Sequence, residues 1–336
     1  MIRPGPLNLI TDVDGLKVGN AQDLNVRSGV TVVVPDEGAV MAVDVRGGTP
    51  GTRETDALDP TCGVKLFDAI TLSGGSAFGL DAAGAVMNWL VGQGRGYQIG
   101  PALIPVVPSA IIFDLLNGGD KDWGAAPPFP DLARAACENL SREFELGNIG
   151  AGTGATAGPL KGGLGSVSSI ADDGVQVGAL LVANPFGSVT MPGSDVLWAW
   201  PWEQDGEYGG RRPAGDLAPV DTDYQSPMRD VATGANTTLG VVATNVVLDK
   251  AEAQRIAIMA QDGISRAIRP VHTPFDGDTI FVISTGRIKM PETPDQMIMQ
   301  LGMRAADCVA RAIGRGVYAA EGLGDFPGYR QIIAGQ

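Results

Sequence analysis

The sequence predicts a layered α+β fold on three observations. Short runs rich in Val and Ile, bounded by Gly, Pro and Asp, read as strands. Longer stretches carry apolar residues at helical spacing. The two kinds follow one another without strict βα alternation, which argues against a doubly wound parallel sheet. At 336 residues the chain can bury a sizeable core as one large domain or two smaller ones, and it shows no internal repeat.

In chain order, strands are predicted at 30–34, 40–45, 69–72 and 104–113. After Gly74-Gly75 a helix is predicted over 77–91, with Leu80, Ala83, Val86 or Met87, and Leu90 along one face. A second helix is expected at 131–144. A Gly-dense stretch over 147–165 then precedes strands at 167–170 and 175–183. From 203 to 235 periodicity is lost and Gly, Pro, Asp, Arg and Tyr accumulate. A structureless stretch of this length is usually functional or disordered, so it reads as a domain linker or a processing loop. It ends at an apolar strand headed by Thr237. Asp249 and Glu252 form a capping-box start to a helix carrying Ile256, Ala260, Ile264 and Ala267, and Pro270 ends it. A strand at 279–284 leads through Thr293-Pro294 into a final helix, with Met297, Leu301, Ala305, Cys308 and Ala312 facing inward.

Composition narrows the function classes. The formal charge of -14 argues against nucleic-acid or anionic-membrane partners, which require clustered Lys and Arg. Three widely spaced cysteines, Cys62, Cys137 and Cys308, form neither a disulfide framework nor a paired metal motif. The first residues carry prolines and acids where a signal peptide needs a continuous apolar core. The most apolar long run, 102–116, is broken by Pro105 and Pro108, so it does not read as a spanning helix. The expectation is a cytoplasmic protein acting on a small molecule, with no metal and no cofactor.

Several residues are candidates for chemistry. Thr237 at the head of a buried strand reads either as an ordinary β-branched strand residue or, if the Asn236–Thr237 bond is cut, as a nucleophile whose own α-amine is its base. The sole histidine, His272, lies between two prolines and has no second His or Cys pair for a zinc site, so a turn-fixing or hydrogen-bonding role is expected. Asp276 and Asp278 flank Gly277 and would point to one face in an extended chain. They read as paired carboxylates able to bind a divalent cation or to share a proton, or as an ordinary Asp-Gly turn. Gly150-Ala151-Gly152-Thr153-Gly154 matches a relaxed dinucleotide fingerprint, but Gly158, Pro159, Gly162 and Gly163 forbid the helix that must follow. Lys161 reads as a solvated charge among glycines or, if buried, as a positive field for an amine and an oxyanion. Asn184 before Pro185 reads as a turn starter or an oxyanion donor. Asp12 and Asp14 resemble the start of a calcium loop whose later ligands are missing.

Taken together, the stretches Asp44-Val45-Arg46-Gly47-Gly48, Leu72-Ser73-Gly74-Gly75-Ser76-Ala77-Phe78-Gly79-Leu80, Gly150-Ala151-Gly152-Thr153-Gly154, Lys161-Gly162-Gly163-Leu164-Gly165, Asn184-Pro185, Asn236-Thr237-Thr238 and Asp276-Gly277-Asp278-Thr279 carry a resemblance over nearly the whole chain. It resembles the family of L-aminopeptidase/D-esterases and β-peptidyl aminopeptidases, which also contains the nylon-oligomer hydrolases. The resemblance implies an αββα sandwich of the aminopeptidase/ornithine acetyltransferase type. It also implies self-cleavage into a larger chain, 1–236, and a smaller one, 237–336, that remain one composite domain and assemble into homo-oligomers.

By the same resemblance Thr237 is the nucleophile, Asn184 the oxyanion donor and Lys161 a tuner of the local field, while Asp276 and Asp278 orient the hydroxyl or amine. Phe78 marks the substrate pocket, and it stands where the nylon-hydrolase branch has a Tyr, so a phenolic hydrogen bond is missing. The Lys-Gly-Gly arrangement is similar to the aminopeptidase branch. The implied activity is hydrolysis of short peptides or amides through an acyl-Thr237 intermediate. Nylon-type (6-aminohexanoate) oligomer hydrolysis, acyl transfer of the ornithine acetyltransferase kind, and an unprocessed scaffold stand as alternatives.

Overall fold

The computed structural model describes residues 1–215 and 236–334. Its strands are β1 (Ile2–Arg3), β2 (Leu16–Asp23), β3 (Ser28–Pro35), β4 (Val40–Val45), β5 (Thr52–Arg53), β6 (Ile70–Ser73), β7 (Tyr97–Ile99), β8 (Ala102–Ile104), β9 (Ser109–Ile111), β10 (Thr156–Ala157), β11 (Leu160–Lys161), β12 (Gly163–Ala171), β13 (Gln176–Asn184), β14 (Thr237–Val246) and β15 (Thr279–Ile288). The α-helices are α1 (Ala82–Gly92), α2 (Phe129–Glu138), α3 (Lys250–Ala267), α4 (Pro294–Ala319) and α5 (Tyr329–Ala334).

Alternation along the strands builds the layers, because successive side chains point to opposite faces of a sheet. In β14, Leu239, Val241 and Ala243 enter a core shared with Leu180, Val182, Phe281 and Ile283 of the same sheet and with Val33, Ile70 and Leu72 of a second sheet. The intervening Val242 faces the other way, into a core with Ile256, Ala260 and Ile264 of α3 and Leu301, Ala305 and Val309 of α4. A third core joins Val30, Val32 and Val34 of β3 to Val86 and Leu90 of α1 and to Phe129 and Ala133 of α2. Three apolar seams between four layers make the αββα sandwich. Each fully buried Val, Leu or Ile contributes about 1.5–3 kcal/mol.

The first sheet has the order β1-β12-β13-β14-β15-β4, and the second β2-β3-β6-β9-β5. In the first sheet β14 and β15 are parallel neighbours, while β13–β14 and β15–β4 are antiparallel. Strands on the C-terminal side of Thr237 therefore sit between strands contributed by the N-terminal side. The stretch before 216 is tied to the same body. Glu207, nearly buried, forms a charged fork with the buried Arg311 of α4 at 2.6 and 2.9 Å, and Arg311 also donates to the Ser168 carbonyl. Removing one partner of a buried ion pair leaves the other uncompensated, at about 3–5 kcal/mol. Glu207→Ala is accordingly expected to lower unfolding stability by about that amount, read from urea titration; a change within 0.5 kcal/mol of the parent (roughly the surface-substitution range) would contradict the clamp.

The structure refines several expectations. The Asp249–Glu252 capping box forms, with both reciprocal bonds at 2.8 Å. The final helix starts at Pro294 and buries Leu301, Ala305, Cys308 and Ala312. The predicted helix 77–91 begins instead as a 3₁₀ turn, Ser76–Asp81, and becomes α-helical only at Ala82. The predicted helix 131–144 ends at Glu138, because the chain turns away so that Ser141 can exchange backbone bonds with Val18 of β2 at 2.9 and 3.0 Å. The predicted strand 104–113 splits at its prolines: Ala102–Ile104 pairs with Tyr97–Ile99 in a separate hairpin, and Ser109–Ile111 joins the second sheet. Of the predicted loop 203–235, residues 216–235 lie outside the described residues. Among the described residues no helix is long and apolar enough to cross a membrane.

Candidate active site

The parity that sends Leu239 and Val241 between the sheets also sends Thr237 there, two residues earlier on the same face. Thr237 is buried, and its register partner on β13 is Asn184, which shares a face with Leu180 and Val182. The Thr237 hydroxyl donates to the carbonyl oxygen of Asn236, the residue before it. That carbonyl also accepts the Gly277 N–H at 3.0 Å, and a parallel bridge pairs Asn236 with Asp276. The hydroxyl and the carbonyl of the Asn236–Thr237 linkage thus lie together under the Asp276–Asp278 turn.

Both carboxylates of this turn are about 1% exposed and fully engaged. Asp276 accepts from Phe186 N–H at 3.0 Å and from the Thr273 N–H and hydroxyl at 3.1 and 2.5 Å. Burial, and then the nearby Asp278 charge, hold its pKa above the ordinary carboxylate value. Asp278 accepts Thr238 N–H at 2.7 Å, and with its other oxygen meets the His272 N–H at 3.0 Å and His272 Nδ1 at 2.8 Å. His272 is therefore a turn-fixing residue, as expected, held at a φ of 55°. Asp278→Ala would orphan these donors, at about 1–3 kcal/mol for each N–H that water does not reach. The expected result is a lower urea midpoint than the parent's, and an unchanged midpoint would contradict this tethering role.

Lys161 is buried, not solvated. Its ammonium donates to three backbone carbonyls, Gly152 at 3.0 Å, Ala155 at 2.8 Å and Gly162 at 2.7 Å. Burial pulls its pKa down to about 7, opposed by the Asp114 charge, while the carbonyls stabilise the charged form. Its strand partner Thr156 donates a backbone N–H to Asn184 Oδ1 at 2.9 Å, so Lys161 lies one residue behind Asn184. The Asn184 amide nitrogen donates to the Phe113 carbonyl at 3.2 Å. The sheet ends thus gather Thr237, Asn184, Asp276 and Asp278, with Lys161 behind them. Phe78 is placed otherwise: half exposed on its 3₁₀ turn, its ring packs edge-on against Trp123.

Two residues here escaped sequence reasoning. Asp114 is fully buried, accepting from the Ser28 hydroxyl at 2.6 Å and Gly75 N–H at 2.7 Å, with its pKa raised by burial. A lone acid closing an apolar run was its only signal. Thr49 donates its N–H and hydroxyl to the Asp276 carbonyl at 2.9 and 3.2 Å. Beside it Gly47 has no room for a side chain, since a Cβ there would lie 2.3 Å from the Asp278 nitrogen. Among the described residues no group of His, Cys, Asp and Glu is arranged to hold a metal ion.

The chain resembles known proteins over most of its length. The pattern of peptidase family S58 matches residues 8–330. An uncharacterized aminopeptidase of Mycobacterium tuberculosis is 42% identical, over 98% of this chain and 99% of its own length. A 6-aminohexanoate-oligomer endohydrolase of Kocuria sp. is 31% identical, over 88% of this chain and 79% of its own. Among solved structures, the L-aminopeptidase D-Ala-esterase/amidase of Ochrobactrum anthropi, a variant of the Ntn hydrolase fold, superposes with a TM-score of 0.68 at 22% identity, covering 95% of this chain and 88% of that one. The protein belongs to peptidase family S58 and is a hydrolase of peptide or amide bonds.

Proposed function

We propose that the chain cuts itself between Asn236 and Thr237 and then works as an aminopeptidase through the freed Thr237. The observation that carries this reading is the buried Thr237 hydroxyl, bonded to the carbonyl of its own upstream peptide linkage. Attack by Oγ on that carbonyl carbon gives an ester, which water opens to leave an Asn236 carboxylate and a free Thr237 amine. An α-amine has an unperturbed pKa of about 7.7–8.0, suited to take the hydroxyl proton near neutral pH. A substrate acyl group then passes to Thr237 Oγ and on to water.

In this reading Asn184 supplies a side-chain N–H to the oxyanion, Lys161 supplies positive field, and the Asp276–Asp278 turn fixes the head of β14. The pieces 1–236 and 237–336 stay together because separating them would require unzipping both the β13–β14 and β15–β4 ladders. Homo-oligomers of such pairs and a cytoplasmic setting belong to the same proposal.

The substrate class is a short peptide or amide with a free amino end. The relationship to the Kocuria enzyme adds ω-amino amides as a second candidate. Purified protein is expected to release product from unblocked dipeptides and amino-acid anilides and to leave their N-acetylated forms intact. Equal turnover of blocked and unblocked substrates would contradict the aminopeptidase reading, and turnover of 6-aminohexanoate oligomers alone would favour the second candidate.

A further inference from the structure

The peptide group joining Asp276 to Gly277 is fixed at both ends. Its carbonyl oxygen accepts two bonds from Thr49, the N–H at 2.9 Å and the hydroxyl at 3.2 Å. Its N–H is aimed at the Asn236 carbonyl oxygen at 3.0 Å. Gly277 also lies against the nucleophile, since a Cβ at this position would sit 2.8 Å from Thr237 Oγ and 2.9 Å from the Thr49 carbonyl. A peptide carbonyl that accepts two hydrogen bonds is polarised, which strengthens the N–H at its other end as a donor.

We propose that the Gly277 N–H is a catalytic oxyanion donor for both chain cleavage and substrate hydrolysis, and that Thr49 is the positioning residue that aims it. The proposal rests on Thr237 being the nucleophile. When Oγ bonds to the Asn236 carbon, the carbonyl oxygen becomes an alkoxide facing this N–H. The hydroxyl proton goes to the Thr237 nitrogen, the C–N bond breaks, and the ester forms. Once water has released the Asn236 acyl group, a substrate acyl group on the same Oγ presents its oxygen to the same donor. Asn184 is suited to be the complementary donor: its Nδ2 spends one hydrogen on Phe113, and an amide nitrogen carries two. A donor fixed before the reaction needs no reorganisation as charge develops, and loss of one such donor typically costs about 10²–10³ in rate.

The test uses the full chain and two kinds of variant. Replacing Gly277 by glycolate through a suppressor tRNA in cell-free translation exchanges the N–H for an ester oxygen. Self-cleavage and kcat are expected to fall by about 10²–10³ relative to the parent. Thr49→Val keeps the side-chain shape and removes the hydroxyl. Both rates are expected to fall by roughly 2–10-fold at unchanged KM, the worth of one neutral hydrogen bond, with Thr49→Ser restoring them. Parent-like cleavage and kcat in the glycolate chain, or a Thr49→Val effect confined to KM or to melting temperature, would overturn the proposal. The Thr49 pair carries the test if the glycolate chain does not fold. A parent chain that never cleaves would overturn the Thr237 reading itself, an outcome visible before any variant is made.

Discussion

Thr237→Ala is expected to yield one intact 34.7 kDa chain and no amide hydrolysis, the largest effect of any single substitution in this protein. The neighbouring Thr238 cannot take over, although it carries the same hydroxyl. Strand alternation turns it to the opposite face of β14, and its backbone N–H is tied to Asp278. Thr237→Ser retains a hydroxyl on the same backbone and should keep a measurable part of both activities. Denaturing electrophoresis and a turnover assay on the two variants check this. Cleaved or active Ala protein would refute the assignment.

The second large effect is expected at Lys161. Lys161→Met keeps an unbranched side chain one atom shorter and removes the charge that three carbonyls now hold. If that charge supports the developing oxyanion, turnover should fall by about 10²–10³. Stability should respond differently. The folded-state pKa of about 7 lies below the unfolded value, so between about 7 and 10.4 the unfolded chain binds more protons. The penalty for burying the ammonium is complete below this window and disappears as pH rises through it, so stability increases with pH there. In Lys161→Met that slope should be absent. Unchanged kcat, with the pH slope retained, would return Lys161 to a passive role.

What the sequence made legible was local. The capping box at Asp249, the strand headed by Thr237 and the inward stripe of α4 each rest on the spacing of near neighbours in the chain, and local residue order alone carries them. Strand β2 was missed because only Leu16 and Val18 are apolar and buried in its first half, while Gly19-Asn20-Ala21-Gln22 breaks the alternation. The end of α2 was misplaced because a bond between Ser141 and Val18, distant in the chain, decides it. Thr49 was invisible for the same reason: its partner lies 227 residues away. Lys161 could be read as buried or solvated until the path of the Gly-rich loop was known, since the carbonyls that bind it come from a backbone shape without periodicity. The motif Asp276-Gly277-Asp278 was visible as a pair of acids. That the two acids serve different partners, and that the glycine between them bears on the nucleophile, required the fold.

Intact mass and N-terminal sequencing of freshly purified protein under denaturing conditions bear most directly on the central claim. The account predicts two species whose masses sum to the full chain plus one water, the smaller beginning Thr-Thr-Leu-Gly. A single 34.7 kDa species that begins at Met1, in a preparation that hydrolyses amides, would contradict it.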